Sequence, residues 1–264
     1  MPMIALDIGH GSDTFPPDKG IYRNGKAYPE HEFNSDVAMR LQDILERHGI
    51  SVWLPQPPNS KEVSLTTRVN AANRRDVDLY WSIHANAGGA CGVCSFYWYT
   101  SNTGKRLAKM FAKHMEAAGF ETHGDGTHAS MLGSWTNLYV CRKTSMTAVL
   151  TENGFMDDDG DFQGIFGKDK EIYRQCVAET HAKILCEYFG IPYKSVKSKE
   201  EDDMNEVLDG NTKAAWTPTI KRWADPEQQR NPIGQSWVEK IENDEMTYSE
   251  LIRLMGEERK RGLA

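Results

Sequence analysis

Four side chains in the first 152 residues have the types needed for metal-assisted hydrolysis: His10, Glu30, His84 and Glu152. Two imidazoles and a carboxylate hold Zn²⁺ in a three-ligand site that leaves the fourth position to water. A second carboxylate beside that water serves as general base in cleavage of an amide. The four residues are scattered along the chain, so the fold has to bring them together. Glycines at 9 and 11 flank His10 and let backbone approach the site closely. Asn86, two residues past His84, is placed to orient a ligand or a substrate carbonyl.

The elements that would position them follow from apolar periodicity. Met3–Ile8 reads as a strand, and Gly9-His10-Gly11 follows it. Val37, Leu41, Ile44 and Leu45 fall at helical spacing within Asn34–His48, which Gly49 closes. Ile50–Leu54 is the next strand, and Ser64–Arg75 a helix with Ser64 as N-cap. Leu79–Ile83 and Cys94–Thr100 read as strands, and Lys105–Ala118 as a helix stopped by Gly119. Leu138–Val140 and Thr147–Thr151 read as strands, and Lys170–Phe189 as a long helix ended by Gly190. Such alternation predicts an α/β domain, a twisted and mostly parallel sheet flanked by helices. In such sheets ligands gather outside the carboxyl ends of the strands. His10, His84 and Glu152 each follow a predicted strand, and Glu30 precedes the first predicted helix.

These segments resemble a known family. Ile4-Ala5-Leu6-Asp7-Ile8-Gly9-His10-Gly11, Glu30 at a helix start, Ser82-Ile83-His84-Ala85-Asn86 and Val149-Leu150-Thr151-Glu152-Asn153-Gly154-Phe155 occur in order. Arg68 and Ala72-Asn73 lie between them. The set is similar to that of the zinc-dependent N-acetylmuramoyl-L-alanine amidases of autolysins and phage endolysins, over about residues 3–190. The resemblance implies hydrolysis of the amide between the lactyl group of N-acetylmuramic acid and L-alanine in bacterial peptidoglycan. It implies His10, Glu30 and His84 as Zn²⁺ ligands and Glu152 as the catalytic carboxylate. One departure stands out. Where the family commonly has Glu-Lys, this chain has Glu30-His31-Glu32, so His31 and Glu32 are alternatives to Glu30. A zinc peptidase cutting another stem-peptide bond and a mother-cell autolysin are the competing readings.

Composition sets the outer bounds. The chain has 264 residues, 39% of them hydrophobic and 10% aromatic, which suits packed globular structure. A net charge of −7 argues against nucleic acid as a partner. No apolar run is long enough for membrane insertion. The N-terminus lacks a basic segment and a cleavage site, which predicts no signal peptide. That fits an endolysin made in the host cytoplasm and acting on the wall after release. Five cysteines are too sparse for a disulfide framework, and Cys91 and Cys94 form a CxxC without a second pair. The polar, glycine-rich segment around His123 and His128 reads as a loop, with His128 a candidate for substrate contact. Asp157, Asp158, Asp159 and Asp161 read as a solvated loop at the cleft rim, since they miss a calcium-loop pattern.

Charge shifts along the chain. Residues 200–264 carry 9 Lys/Arg and 15 Asp/Glu, while residues 1–199 carry 22 and 23. The division read from this is a catalytic domain over 1–193, a linker over 194–203 and a small helical C-terminal module over 204–264. Thr247-Tyr248-Ser249-Glu250 is a capping box ahead of Leu251, Leu254 and Met255. Trp216, Trp223 and Trp237 serve either wall binding or the module's own core, with self-association as the alternative role.

Overall fold

The computed structural model describes residues 1–194, 210–224, 235–243, 245–247, 250–251 and 253–254. The chain divides into two compact units, Met1–Ala117 with Thr122–Tyr193, and Ala118–Glu121 with Lys194–Ala264.

The first unit is built on six strands: β1 (Met3–Ile8), β4 (Ser51–Trp53), β5 (Leu79–Asn86), β6 (Val93–Trp98), β7 (Thr122–Ser130) and β8 (Thr147–Phe155). Their order is β4-β1-β5-β8-β6-β7. All neighbours are parallel except β6 and β8, which run antiparallel. A separate antiparallel hairpin, β2 (Gly20–Arg23) with β3 (Lys26–Pro29), precedes α1 (Glu30–Arg47).

Helices cover both faces, and alternation along the strands decides which residues meet them. Val69 and Ala72 of α2 (Leu65–Arg74) and Val140 and Cys141 of α4 (Tyr139–Lys143) pack on Ala5, Tyr80, Cys94, Phe96 and Leu150. On the other side α1, α3 (Asn102–Ala117) and α6 (Lys170–Phe189) pack together and against the sheet. Their buried residues include Phe33, Leu41, Phe111 and Val177, all fully covered. Ser64 caps α2 by accepting from Thr67 N at 3.2 Å, and Gly190 ends α6 at φ 68°.

Four expectations are corrected. Leu138–Val140 is not a strand; Tyr139 and Val140 begin the short helix α4. The segment around His123 and His128 is not a loop but the edge strand β7. The strands ending at Ile83 and Thr151 run on as β5 and β8 through His84 and Glu152. The acidic run is not a solvated loop, because Asp158 caps α5 (Asp159–Ile165) at Gly160 N and Asp161 N. Asp161 itself is 1% exposed and accepts from Gly92 N at 2.8 Å and Phe155 N at 2.9 Å. Asp157 accepts from Gly88 N and Gly89 N, both at 2.9 Å. These carboxylates tie the loop after β5 to the end of β8.

In the second unit α7 (Gly210–Ala224) and α8 (Gln235–Glu242) contribute Ile220, Val238 and Ile241 to a core with Met246, Leu251 and Leu254. Trp216 and Trp237 pack against that core. Thr247 and Glu250 form the capping box reciprocally: Glu250 N donates to Thr247 Oγ1 at 3.2 Å, and Thr247 N donates to Glu250 Oε2 at 3.1 Å. Most of the expected linker, the side chain of Trp223 and Met255 lie outside the described residues.

Candidate metal centre and cleft

β5 and β8 pair in register with His84 opposite Glu152, and β6 places Cys94 on the far side of Glu152. Residues opposite each other point to the same face, so His84 and Glu152 are neighbours at the carboxyl ends of two parallel strands. His10 lies two residues past the end of β1, after Gly9, at φ 60°. Glu30 is the first residue of α1, and its amide is satisfied by the Lys19 carbonyl at 3.0 Å.

The ligand atoms of His10, Glu30 and His84 all lie within 4.8 Å of one another. His10 Nε2 is 3.2 Å from Glu30 Oε2, and His84 Nδ1 is 3.0 Å from Glu30 Oε1. The rings of His10 and His84 meet edge to face at 4.9 Å. Gly9 has to be glycine here, since a Cβ would fall 2.5 Å from His84 Nδ1. Asn34 steadies the carboxylate, donating to Glu30 Oε1 and to the Gly9 carbonyl, each at 3.0 Å. Burial pushes Glu30 upward, but the charge and hydrogen bond of His10, followed by those of His84, outweigh it. They hold the carboxyl well below the usual carboxylate range. The pocket therefore favours an anion at Glu30 facing positive charge. Two neutral imidazoles and one carboxylate at this spacing suit a Zn²⁺ ion.

The alternatives at the helix start turn elsewhere. His31 Nδ1 lies 3.2 Å from the Gly9 carbonyl, and Glu32 lies 3.4 Å from Arg174.

Glu152 differs from Glu30 in kind. Burial, and next the charge of Glu30, raise its carboxyl well above the ordinary range, and Lys19 pulls the other way. Its Oε2 is buried and has no hydrogen-bond partner among the described residues. It lines a cleft of about 650 Å³ together with His10, Glu30, His84, Asn86 and Lys19. Asn86 accepts from Ala87 N at 2.9 Å. His128 is not among the cleft residues. It sits on β7 in a ring cluster with Phe96, His123 and Trp135.

Three residues behind the site carry roles that the spacing of the ligands does not reveal. Ser82 Oγ donates to Asp7 Oδ2 at 2.7 Å and lies 3.1 Å from His84 Nε2. Asp7 is fully buried and pairs with the buried Arg68. Their signal is a charge and a hydroxyl inside apolar strands, costly unless partnered. Deeper still, Asn153 donates to the His84 carbonyl at 3.0 Å and meets His181 Nε2 at 2.9 Å.

Comparison with known proteins agrees with this architecture. Residues 4–185 match the N-acetylmuramoyl-L-alanine amidase family. The chain is similar to the N-acetylmuramoyl-L-alanine amidase CwlM of Bacillus licheniformis, 31% identical over 193 residues, covering 72% of this chain and 70% of that protein. It is similar to the endolysin of Bacillus phage SPP1, 30% identical over 211 residues, covering 76% and 71%. The catalytic domain of CwlV, an N-acetylmuramoyl-L-alanine amidase from Bacillus (Paenibacillus) polymyxa var. colistinus, superposes with a TM-score of 0.60. It is 26% identical, and the match covers 73% of this chain and all of that one. Fold and site define an amidohydrolase on an α/β sheet. The chain belongs to the N-acetylmuramoyl-L-alanine amidase family.

Proposed function

We propose that this chain is a zinc-dependent peptidoglycan amidase that cuts between the lactyl group of N-acetylmuramic acid and L-alanine, with His10, Glu30 and His84 as metal ligands and Glu152 as general base. The observation that carries it is the pairing of two carboxylates with opposite character in one cleft. Glu30 is held ionised among the imidazoles, and Glu152 is raised beside them. A zinc ion held by the three ligands would polarise the scissile carbonyl and acidify the attacking water. Glu152 takes the proton of that water on its unpartnered Oε2. Its raised affinity for protons suits it to hold that proton and deliver it to the departing alanine nitrogen. Asn34 and Ser82 fix the orientation of Glu30 and His84 throughout.

In this reading residues 1–193 carry the chemistry, and 204–264 form a module that binds wall or a second copy of the chain. Likeness to a phage endolysin supports a role in host lysis, with the enzyme reaching the wall after release. Digestion of purified peptidoglycan tests the reaction. New lactyl carboxylates and free alanine amines, lost with a chelator and restored by zinc, are expected. New amines on any other stem residue would make it a peptidase.

A further inference from the structure

Lys19 lines the cleft, and no step of the hydrolysis proposed above is assigned to its ammonium. Its backbone sits at φ 66°, in the left-handed region that side-chain-bearing residues seldom adopt. His10 is the other cleft residue with this conformation, at φ 60°. Strain of this kind persists where surrounding structure enforces it and clusters at functional sites. The enforcement is visible, since the Lys19 carbonyl accepts from Glu30 N at 3.0 Å. The loop is thereby pinned to the helix that carries Glu30.

Charge supplies the second observation. The cleft is lined by the carboxylates of Asp18, Glu30, Glu62 and Glu152, against the cations of Lys19 and Arg68. Arg68 is committed to Asp7 and Glu62. Lys19 is exposed, and its ammonium forms no ion pair among the described residues. Of the two cationic side chains in the lining, Lys19 is the one that no described carboxylate already pairs with, so it is the one open to an anionic group entering the cleft.

We propose that Lys19 is a specificity residue that recognises the free carboxylate of the stem-peptide residue following L-alanine. This rests on the amidase reading above. The second stem residue is a glutamate joined through its side chain, so its α-carboxyl is either free or amidated. Lys19 would favour the free form. Ion pairs at exposed positions contribute modestly, and the preference expected is about fivefold in kcat/KM.

The test uses the full chain and two muramyl pentapeptides that differ in whether this carboxyl is free or amidated. The wild type should favour the free form about fivefold, Lys19→Met should bring the ratio to about one, and Lys19→Arg should keep the preference. A general effect on folding or on Glu152 lowers both substrates together and leaves the ratio unmoved. A wild-type ratio of one, or a preference that survives in Lys19→Met, overturns the proposal. If the wild type cuts neither peptide at the lactyl amide, the amidase reading itself fails and this inference falls with it.

Discussion

Ser82 Oγ lies 3.1 Å from Nε2 of His84, across the ring from the nitrogen that meets Glu30. Because Ser82 gives its own proton to Asp7 at 2.7 Å, it can only accept from the imidazole. That places a proton on Nε2, so Nδ1, the nitrogen that faces Glu30, is the one a metal would take. Asp7 is fixed in place by its ion pair with Arg68, which also donates to the Val63 carbonyl at 2.9 Å. The chain Arg68–Asp7–Ser82–His84 thus sets a tautomer from the core outward. Ser82→Ala should lower zinc affinity about 10- to 100-fold, the usual effect of removing a ligand's outer partner. Competition against a chromophoric chelator measures it. Unchanged affinity would mean that the ring is oriented by packing alone.

Metal binding and base catalysis separate at two carboxylate and imidazole positions that face each other across strands. His84→Ala should lose both zinc and activity. Glu152→Gln keeps size and hydrogen bonding but accepts no proton. It should arrive zinc-replete and turn over at least about 100-fold more slowly. Metal analysis and turnover on the same sample decide it. Glu152→Gln without zinc would make Glu152 a ligand.

Much of this site was legible from residue types. The strand ahead of His10, the Ser64 cap and the Gly190 stop follow local rules that packing here does not override. His10, Glu30 and His84 converge because parallel strands end at one rim, which alternation of strands and helices implies. What escaped has identifiable causes. Leu138–Val140 is three apolar residues, too short for periodicity to separate helix from strand. β7 is polar and glycine-rich, but as an edge strand paired only with β6 it needs little apolar surface. The β2–β3 hairpin does carry a sequence signal, Asn24-Gly25, whose φ values of 51° and 75° fit a tight turn with both central residues left-handed. The acidic run was misread because charge density suggests solvent, whereas Asp161 spends its charge on buried amides.

That role of Asp161 is testable. Asp161→Ala strands the amides of Gly92 and Phe155, which lie in the segments flanking the cleft. An unsatisfied buried donor costs about 1–3 kcal/mol, so a loss of about 2–4 kcal/mol is expected in urea unfolding. A change below about 0.5 kcal/mol would return the residue to the status of a solvated carboxylate.

Acid stability should depend on His181. The ring is fully buried, accepts from Trp81 Nε1 at Nδ1 over 3.1 Å, and meets Asn153 Oδ1 through Nε2 at 2.9 Å. That geometry needs the neutral ring, and burial pushes its pKa down to about 3. In the unfolded chain an ordinary histidine takes its proton near pH 6.5. The unfolded state therefore binds more protons between these two values. Its contribution to stability is complete above about pH 6.5 and is lost as pH falls, by about 1.4 kcal/mol per unit. Between pH 7 and pH 5 the expected loss is about 2 kcal/mol. Other groups titrate in the same range, so the comparison is with His181→Gln, which does not titrate. That variant should be less stable than the wild type at pH 7, because it breaks a buried chain reaching the His84 carbonyl. The gap between the two proteins should narrow by about 2 kcal/mol on going to pH 5. Urea unfolding of both proteins at both pH values measures the gap. A gap that stays constant would show that His181 takes up its proton as readily in the folded protein as in the unfolded chain, and that Nδ1 does not accept from the donor-only Trp81 Nε1.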